Sequence, residues 1–140
     1  MPCVASEAPP DTLTVQTRQR ADAVDISEPV QGLVARSGVS RGLCQVYVPH
    51  TTAGVFINEN ADPDVLTDLL ATLERLVPWE QGYRHAEGNA AAHIRATLSG
   101  TSQMVPVHGG RLALGRWQGI FLVEFDGPRE RLVRVTVVPA

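Results

Sequence analysis

An α+β fold built on mainly antiparallel strands is what the 140-residue chain predicts. Three observations carry it. Several short segments alternate apolar and polar residues with period two, two or three others place apolar residues at helical spacing, and turns containing Gly or Pro separate them. A few helices inserted among many strands define that class. No self-similarity at a period of roughly 20–50 residues is visible, which sets repeat architectures aside.

The elements follow in order. Residues 1–10 carry three prolines and little periodicity, and read as a disordered arm ahead of a domain spanning residues 11–140. Leu13-Thr14-Val15-Gln16-Thr17 alternates as a strand does, and after a basic, polar turn Ala23-Val24-Asp25-Ile26 gives a shorter one. The two are expected to pair as an opening hairpin. Ser27 is the expected cap of a short helix, with Glu28 and Pro29 in its first turn, Val30, Leu33 and Val34 on its apolar face and Ser37-Gly38 at its end. Gly42 opens a strand to Val48, Pro49 ends it, and a second apolar run from Ala53 to Ile57 follows His50-Thr51-Thr52. His50 therefore sits between two strands.

Asp62 ahead of Pro63 starts the main helix, whose apolar face is marked by Val65, Leu66, Leu69, Leu70, Leu73, Leu76 and Val77 before Pro78. Trp79 to Asn89 reads as a loop, and Ala90 to Leu98 as a third helix closed by Gly100. Val105-Pro106-Val107, Arg111 to Leu114, Gly119 to Phe125 and Leu132 to Val138 supply the remaining strands.

Composition narrows the function. A net charge of −3 provides no basic face for nucleic acid. No segment approaches about 18 uninterrupted apolar residues, and the N-terminus lacks a basic region followed by an apolar one. A cytoplasmic protein without membrane contact is expected. Cys3 and Cys44 are the only cysteines, a count that fits a reducing compartment, and Cys44 inside an apolar strand is read as packing.

Polar chemistry is concentrated between Pro49 and Asp64, at the two ends of one short apolar run. Of the four histidines, His50, His85, His93 and His108, none stands at a zinc-ligand spacing such as His-x-x-x-His, so a metal site has to be assembled from separate elements. His50, His85 and His93 gathered near Asp62 or Asp64 would suit zinc or another divalent ion; each also reads as a surface or hydrogen-bonding residue. His108 belongs to a Gly-Gly turn and is left out. Asp62 and Asp64 are explained as helix caps, yet the same helix start, with Asn58, Glu59 and Asn60 upstream, offers oxygen ligands for magnesium carrying a phosphorylated substrate. Arg111 and Arg116 are candidate phosphate forks, Ser99 to Ser102 a weak anion contact, and Trp117 a cover for the core edge. No Gly-x-Ser-x-Gly elbow occurs, which argues against a triad hydrolase.

Six blocks then occur in a recognisable order: His50-Thr51-Thr52-Ala53, Ile57 to Val65, Tyr83-Arg84-His85, Ala92-His93-Ile94, Leu98 to Ser102 and Gly110 to Ile120. From about Thr12 to Val138 the chain resembles the YjbQ family, secondary thiamine-phosphate synthases. The resemblance implies a sandwich-like or barrel-like strand body with two to three helices, and assembly as a homotrimer. It further implies an activity that joins hydroxymethylpyrimidine diphosphate to thiazole phosphate with release of diphosphate, using a divalent metal, zinc or magnesium, and a small phosphorylated metabolite as ligand. On that reading His50, Thr51, Asn58, Glu59 and Asp62 are catalytic candidates, Thr52, Arg84, Ser99, Trp117 and Gln118 bind substrate, and His50, His85 and His93 hold metal. Arg116 departs from the family's Gly-Thr-Trp-Gln pattern and puts a cation beside Trp117 and Gln118. Two other functions stay open: a metal-dependent hydrolase or lyase acting on another small phosphorylated metabolite, and a non-catalytic trimeric protein that binds metal or metabolite.

Overall fold

Residues 11–140 are described by a computed structural model; the expected arm, residues 1–10, lies outside them. The order of elements is β1 (Asp11–Gln16), β2 (Asp22–Asp25), α1 (Ser27–Ser37), β3 (Arg41–Tyr47), β4 (Ala53–Glu59), α2 (Pro63–Leu76), α3 (Ala90–Ser99), β5 (Ser102–His108), β6 (Arg111–Leu112), β7 (Gln118–Glu124) and β8 (Glu130–Pro139). Two antiparallel sheets result, one ordered β1-β8-β3-β5-β6 and the other β2-β7-β4.

Burial along each strand follows from what covers its faces. In β3 the even positions Gly42, Cys44 and Val46 are buried, and Arg41, Leu43, Gln45 and Tyr47 face outward, because the large sheet has only one covered face. In β7 everything from Gly119 to Glu124 is buried, since the small sheet is covered on both sides. One side meets the core shared with the large sheet, where Val46, Val48, Val55, Ile120, Leu122, Val133 and Val135 gather with Val30, Leu33 and Val34 of α1. The other side packs Val123 against Ala92 and Ala96 of α3, with Phe125 alongside and Leu70 and Leu73 of α2 at the margin.

The expected opening hairpin is corrected. β1 pairs with β8 and β2 with β7, so the two segments belong to different sheets. The chain between them, residues 17–21, crosses from one sheet to the other beside the β7–β8 connection: the Thr17 amide donates to Arg129 O and the Gly127 amide to Arg20 O. Period-two alternation reports a half-covered strand and carries no information on its partner.

Caps explain the helix ends, with one correction. Asp62 caps α2 by accepting the Asp64 amide at 2.9 Å, with Pro63 at the first helical position. Gly38 ends α1 in the left-handed region at φ 70°, where a side chain would be strained. Ser27 does not cap α1; its hydroxyl oxygen accepts the Ile120 amide and ties the helix start to β7. Arg95, buried in α3, donates from Nε and Nη2 to Val77 O just beyond α2, which satisfies a carbonyl that the helix leaves open. Among the described residues no helix is long and apolar enough to cross a membrane.

Candidate active site

Proline begins the site. β3 and β8 stay in register as far as Tyr47 and Arg134. Pro49, which has no N–H to donate, then turns the chain away from the ladder. The Leu132 amide on β8 thereby loses a backbone partner on this side, and the His50 side chain supplies one: Leu132 N–H donates to His50 Nε2 at 2.9 Å. A lone pair on Nε2 means that the neutral ring carries its proton on Nδ1. Burial and the neighbouring Arg131 guanidinium lower the His50 pKa below its ordinary 6.5, with Glu124 opposing them, so the neutral ring predominates at pH 7.

Thr52 is fixed from the same strand. Arg131 Nη2 donates to Thr52 Oγ1 at 2.7 Å and to Thr52 O at 3.3 Å. The guanidinium is itself held by Glu124, through Nε at 2.8 Å and through a second, closer contact from Nη2. Both members are buried, Glu124 at 0% and Arg131 at 5% exposure. Glu124 also accepts the Thr17 hydroxyl and the amides of Phe125 and Asp126, so its oxygens are fully occupied. A buried ion pair persists only with such satisfaction of its remaining donors and acceptors. It joins the two sheets, because Glu124 lies on β7 and Arg131 on β8.

Above this floor opens a polar cleft of about 350 Å³, lined by His50, Thr51, His93, Asn89, Asp126 and Arg129 among others. His50, Thr51 and His93 also form one side of a smaller adjoining space of about 280 Å³ that reaches Thr97 and Thr101. His93 comes from α3, and His85 from the loop before it, with the two rings edge to face at 5.2 Å. Glu87 stands 3.9 Å from His85 Nε2 and also lines the cleft. Asn89 donates to Asp126 at 2.9 Å, whereas its side-chain carbonyl is enclosed without a hydrogen-bond donor. A larger hollow lies elsewhere: about 520 Å³ between β4, α2 and α3, walled mainly by Phe56, Leu69, Leu73 and Leu98. The smaller cleft is the candidate site because histidines, hydroxyls and ionic groups converge there.

The residues singled out from sequence divide between two ends of β4. His50, Thr51 and Thr52 precede it, and Asn58, Glu59 and Asp62 lie at or beyond its far end, roughly 20 Å away at ~3.3 Å per residue. Trp117 and Gln118 belong to that far end too, since Glu59 pairs with Gln118 and the Asn60 amide donates to Trp117 O. Asn58 Oδ1 accepts the Glu59 amide, and Gln118 Oε1 accepts the Gly115 amide, closing its own turn. Arg116, the departure from the family pattern, stacks over the exposed Trp117 at 4.8 Å. Ser99 lines the apolar groove with Asn58. Arg84 is exposed on the loop that carries His85.

For a metal, the donor set is incomplete. His50 Nε2 is already engaged by Leu132, and ligation through Nδ1 would put a proton on Nε2 facing that amide. Among the described residues no three His, Cys, Asp or Glu side chains are grouped to hold an ion. His85 and His93 are the pair that approach each other.

Comparison with known proteins adds the lineage. Residues 11–140 match the family model described as UPF0047 protein YjbQ-like. The chain belongs to the YjbQ/UPF0047 family. UPF0047 protein YugU of Bacillus subtilis is 49% identical over 121 residues, covering 86% of this chain and 92% of that protein. A UPF0047 protein of Methanocaldococcus jannaschii is 44% identical over 124 residues, covering 89% and 90%. Among solved structures, a YjbQ/UPF0047 protein of Clostridium acetobutylicum superimposes with a TM-score of 0.90 at 47% identity, covering 91% of this chain and 99% of that one. A YbjQ-like protein of unknown function from Sulfolobus solfataricus gives 0.89 at 35% identity, covering 93% and 96%. The YjbQ fold, with antiparallel sheets curled around one core and three helices, is thus the fold of this chain.

Sequence reasoning missed Glu124, Arg131, Thr17, Asn89 and Asp126. A signal existed for Glu124, the one charge in the apolar run from Gly119 to Phe125, because charged residues are rarely buried unless paired. Arg131 shares β8 with Glu130 and Arg134 and does not stand out in the same way.

Proposed function

We propose that this YjbQ-family chain is an enzyme acting on a small phosphorylated metabolite in the His50–His93 cleft, with thiamine phosphate synthesis as the first reaction to assay. One observation carries the reading: His50 is a neutral imidazole whose tautomer is set by a backbone amide, leaving Nδ1–H as its donor. A preset donor of this kind suits a step in which negative charge accumulates on a departing group. In the thiamine-phosphate reaction the carbon–oxygen bond to diphosphate breaks, its electron pair goes to the diphosphate oxygen, and the thiazole nitrogen bonds to the freed carbon. His50 Nδ1–H and the exposed Thr51 hydroxyl are the groups this chain offers to that oxygen.

A divalent metal belongs to this reading by way of His85 and His93. Two imidazole nitrogens suit zinc better than magnesium, which prefers an all-oxygen shell, and the remaining ligands would have to come from outside this pair. A homotrimer is the assembly that goes with it. Its support is apolar surface left open on the outer face of the large sheet, at Leu43, Tyr47, Met104 and Val138.

The deciding experiment is turnover by purified protein of the two thiazole and pyrimidine substrates, beside a panel of other small phosphorylated metabolites, for wild type and His50→Ala. Product from wild type and its loss in the variant support the reading. Equal turnover by both proteins removes His50 from the chemistry, and no turnover of any substrate in the panel favours a binding role.

A further inference from the structure

The buried Glu124–Arg131 ion pair lies beneath the cleft that Arg131 helps to line. Buried pairs of this kind are often replaceable by well-packed apolar residues without loss of stability. This one is wired to the site. Glu124 and Arg131 bridge β7 to β8, and Nη2, which meets Glu124, donates to Thr52 as well. The next residue along β8, Leu132, presents its amide to His50. The two residues that flank Thr51 are therefore held from consecutive positions of a single strand. Any slip of β8 relative to the His50–Thr52 segment would break both contacts together.

Surrounding groups reinforce the placement. Thr17 Oγ1 donates to Glu124 Oε1 at 2.8 Å and accepts the Arg129 amide at 2.9 Å, which pins the start of β8. Gly127 lies against the pair so closely that a Cβ there would meet Glu124 Cγ at 2.7 Å and Thr17 Oγ1 at 3.0 Å. Only a glycine at 127 leaves room for the Glu124 side chain in this position.

We propose that Glu124 and Arg131 are positioning residues of the cleft: by locking β8 to the His50–Thr52 segment they make the Leu132 amide hold His50 in its Nδ1–H form. The inference deepens the reading of His50 as a donor and rests on it for its catalytic meaning. Its structural content can be tested without any substrate.

The test uses the full chain labelled with ¹⁵N. Histidine ring nitrogen shifts report the His50 tautomer, and amide exchange reports the Leu132 bond. In wild type the Nδ1–H form is expected to dominate and the Leu132 amide to exchange slowly. Arg131→Lys keeps the charge and loses the two-sided fork. In that variant the two tautomers are expected to mix, with Leu132 exchange about tenfold faster, the change that an ordinary hydrogen bond of about 1.4 kcal/mol would produce. A folded Arg131→Lys protein with wild-type His50 shifts and wild-type Leu132 exchange overturns the proposal. So does a lowered melting temperature with both signals unaltered, which is the mark of a purely structural pair. If Arg131→Lys fails to fold, Thr52→Val decides in the same way, because it removes the hydroxyl acceptor and preserves shape. Absence of substrate turnover in wild type would count against the proposed reaction and leave the tautomer result standing.

Discussion

His50 Nε2 and the Leu132 amide are 2.9 Å apart, so the cleft histidine is oriented by a strand rather than by a carboxylate. The familiar arrangement has an acidic side chain accepting from Nδ1–H, which favours a ring that takes up a proton. Here the backbone donates to the ring instead. The resulting imidazole is suited to giving a hydrogen bond while neutral.

Replacing His50 should separate chemistry from folding. His50→Ala is expected to lower turnover by about 10²-fold or more, the usual scale for losing a positioned hydrogen-bonding or proton-handling group. Leaving the Leu132 amide without its partner should cost about 1 kcal/mol of stability. Steady-state kinetics and urea denaturation on the same preparations check both.

The pH dependence has a definite sign. Because the folded pKa of His50 lies below 6.5, the unfolded chain takes up this proton first. Stability is therefore expected to fall as pH drops from about 6.5 towards the folded value and to level off beneath it. Urea midpoints at about pH 7.5 and about pH 5 should differ more for wild type than for His50→Gln. An identical difference in both proteins would show that His50 has no such linkage.

Breaking the buried pair from one side should be costly. Arg131→Met leaves the Glu124 carboxylate buried without its cation, and a loss of about 3–5 kcal/mol is expected. Glu124→Gln retains a hydrogen-bonding side chain and should lose less. Thermal melts of the two variants give the comparison.

Gly54 should not accept a side chain. A Cβ at that position of β4 would run into the Gly100 carbonyl, with Ser99 Cβ at 3.3 Å as the next neighbour. That same carbonyl accepts the Val55 amide at 3.0 Å, so it has little freedom to withdraw. Gly54→Ala is expected to destabilise by about 1–3 kcal/mol, readable as a lower urea midpoint.

Zinc binding can be followed through stability. If His85 and His93 hold the ion, adding zinc should raise the melting temperature of wild type and leave His93→Ala unmoved. No response in either protein removes the metal from the site.

Much of this was legible in the amino-acid sequence. Asp62-Pro63 marked the start of α2 and Gly38 the end of α1, because capping is local chemistry encoded within a few residues. The His50-Thr51-Thr52 segment was found for a similar reason: Pro49 ends a strand wherever it occurs. Which strands pair was not legible, and so the expected β1–β2 hairpin proved to be two strands in separate sheets. The polar residues along β4 looked like one cluster for a related reason. They are neighbours in sequence, but an extended strand carries its two ends apart. Glu124 and Arg131 stayed hidden because their partnership exists only once the sheets have met.

The cleft has walls of unequal stiffness. On one side stand His50, held by the Leu132 amide of β8, and Thr52, tied through Arg131 and Glu124 into both sheets, so that displacing them means opening the core. On the other stands Glu87, on a chain segment between α2 and α3 that is largely exposed and held by few internal hydrogen bonds, such as Tyr83 Oη to Pro78 O and the Gly88 amide to His85 O. Segments with that profile open at a small fraction of the global unfolding free energy. Ligands of differing bulk would then be accommodated by yielding on the Glu87 side alone, with the His50 floor and the fold undisturbed.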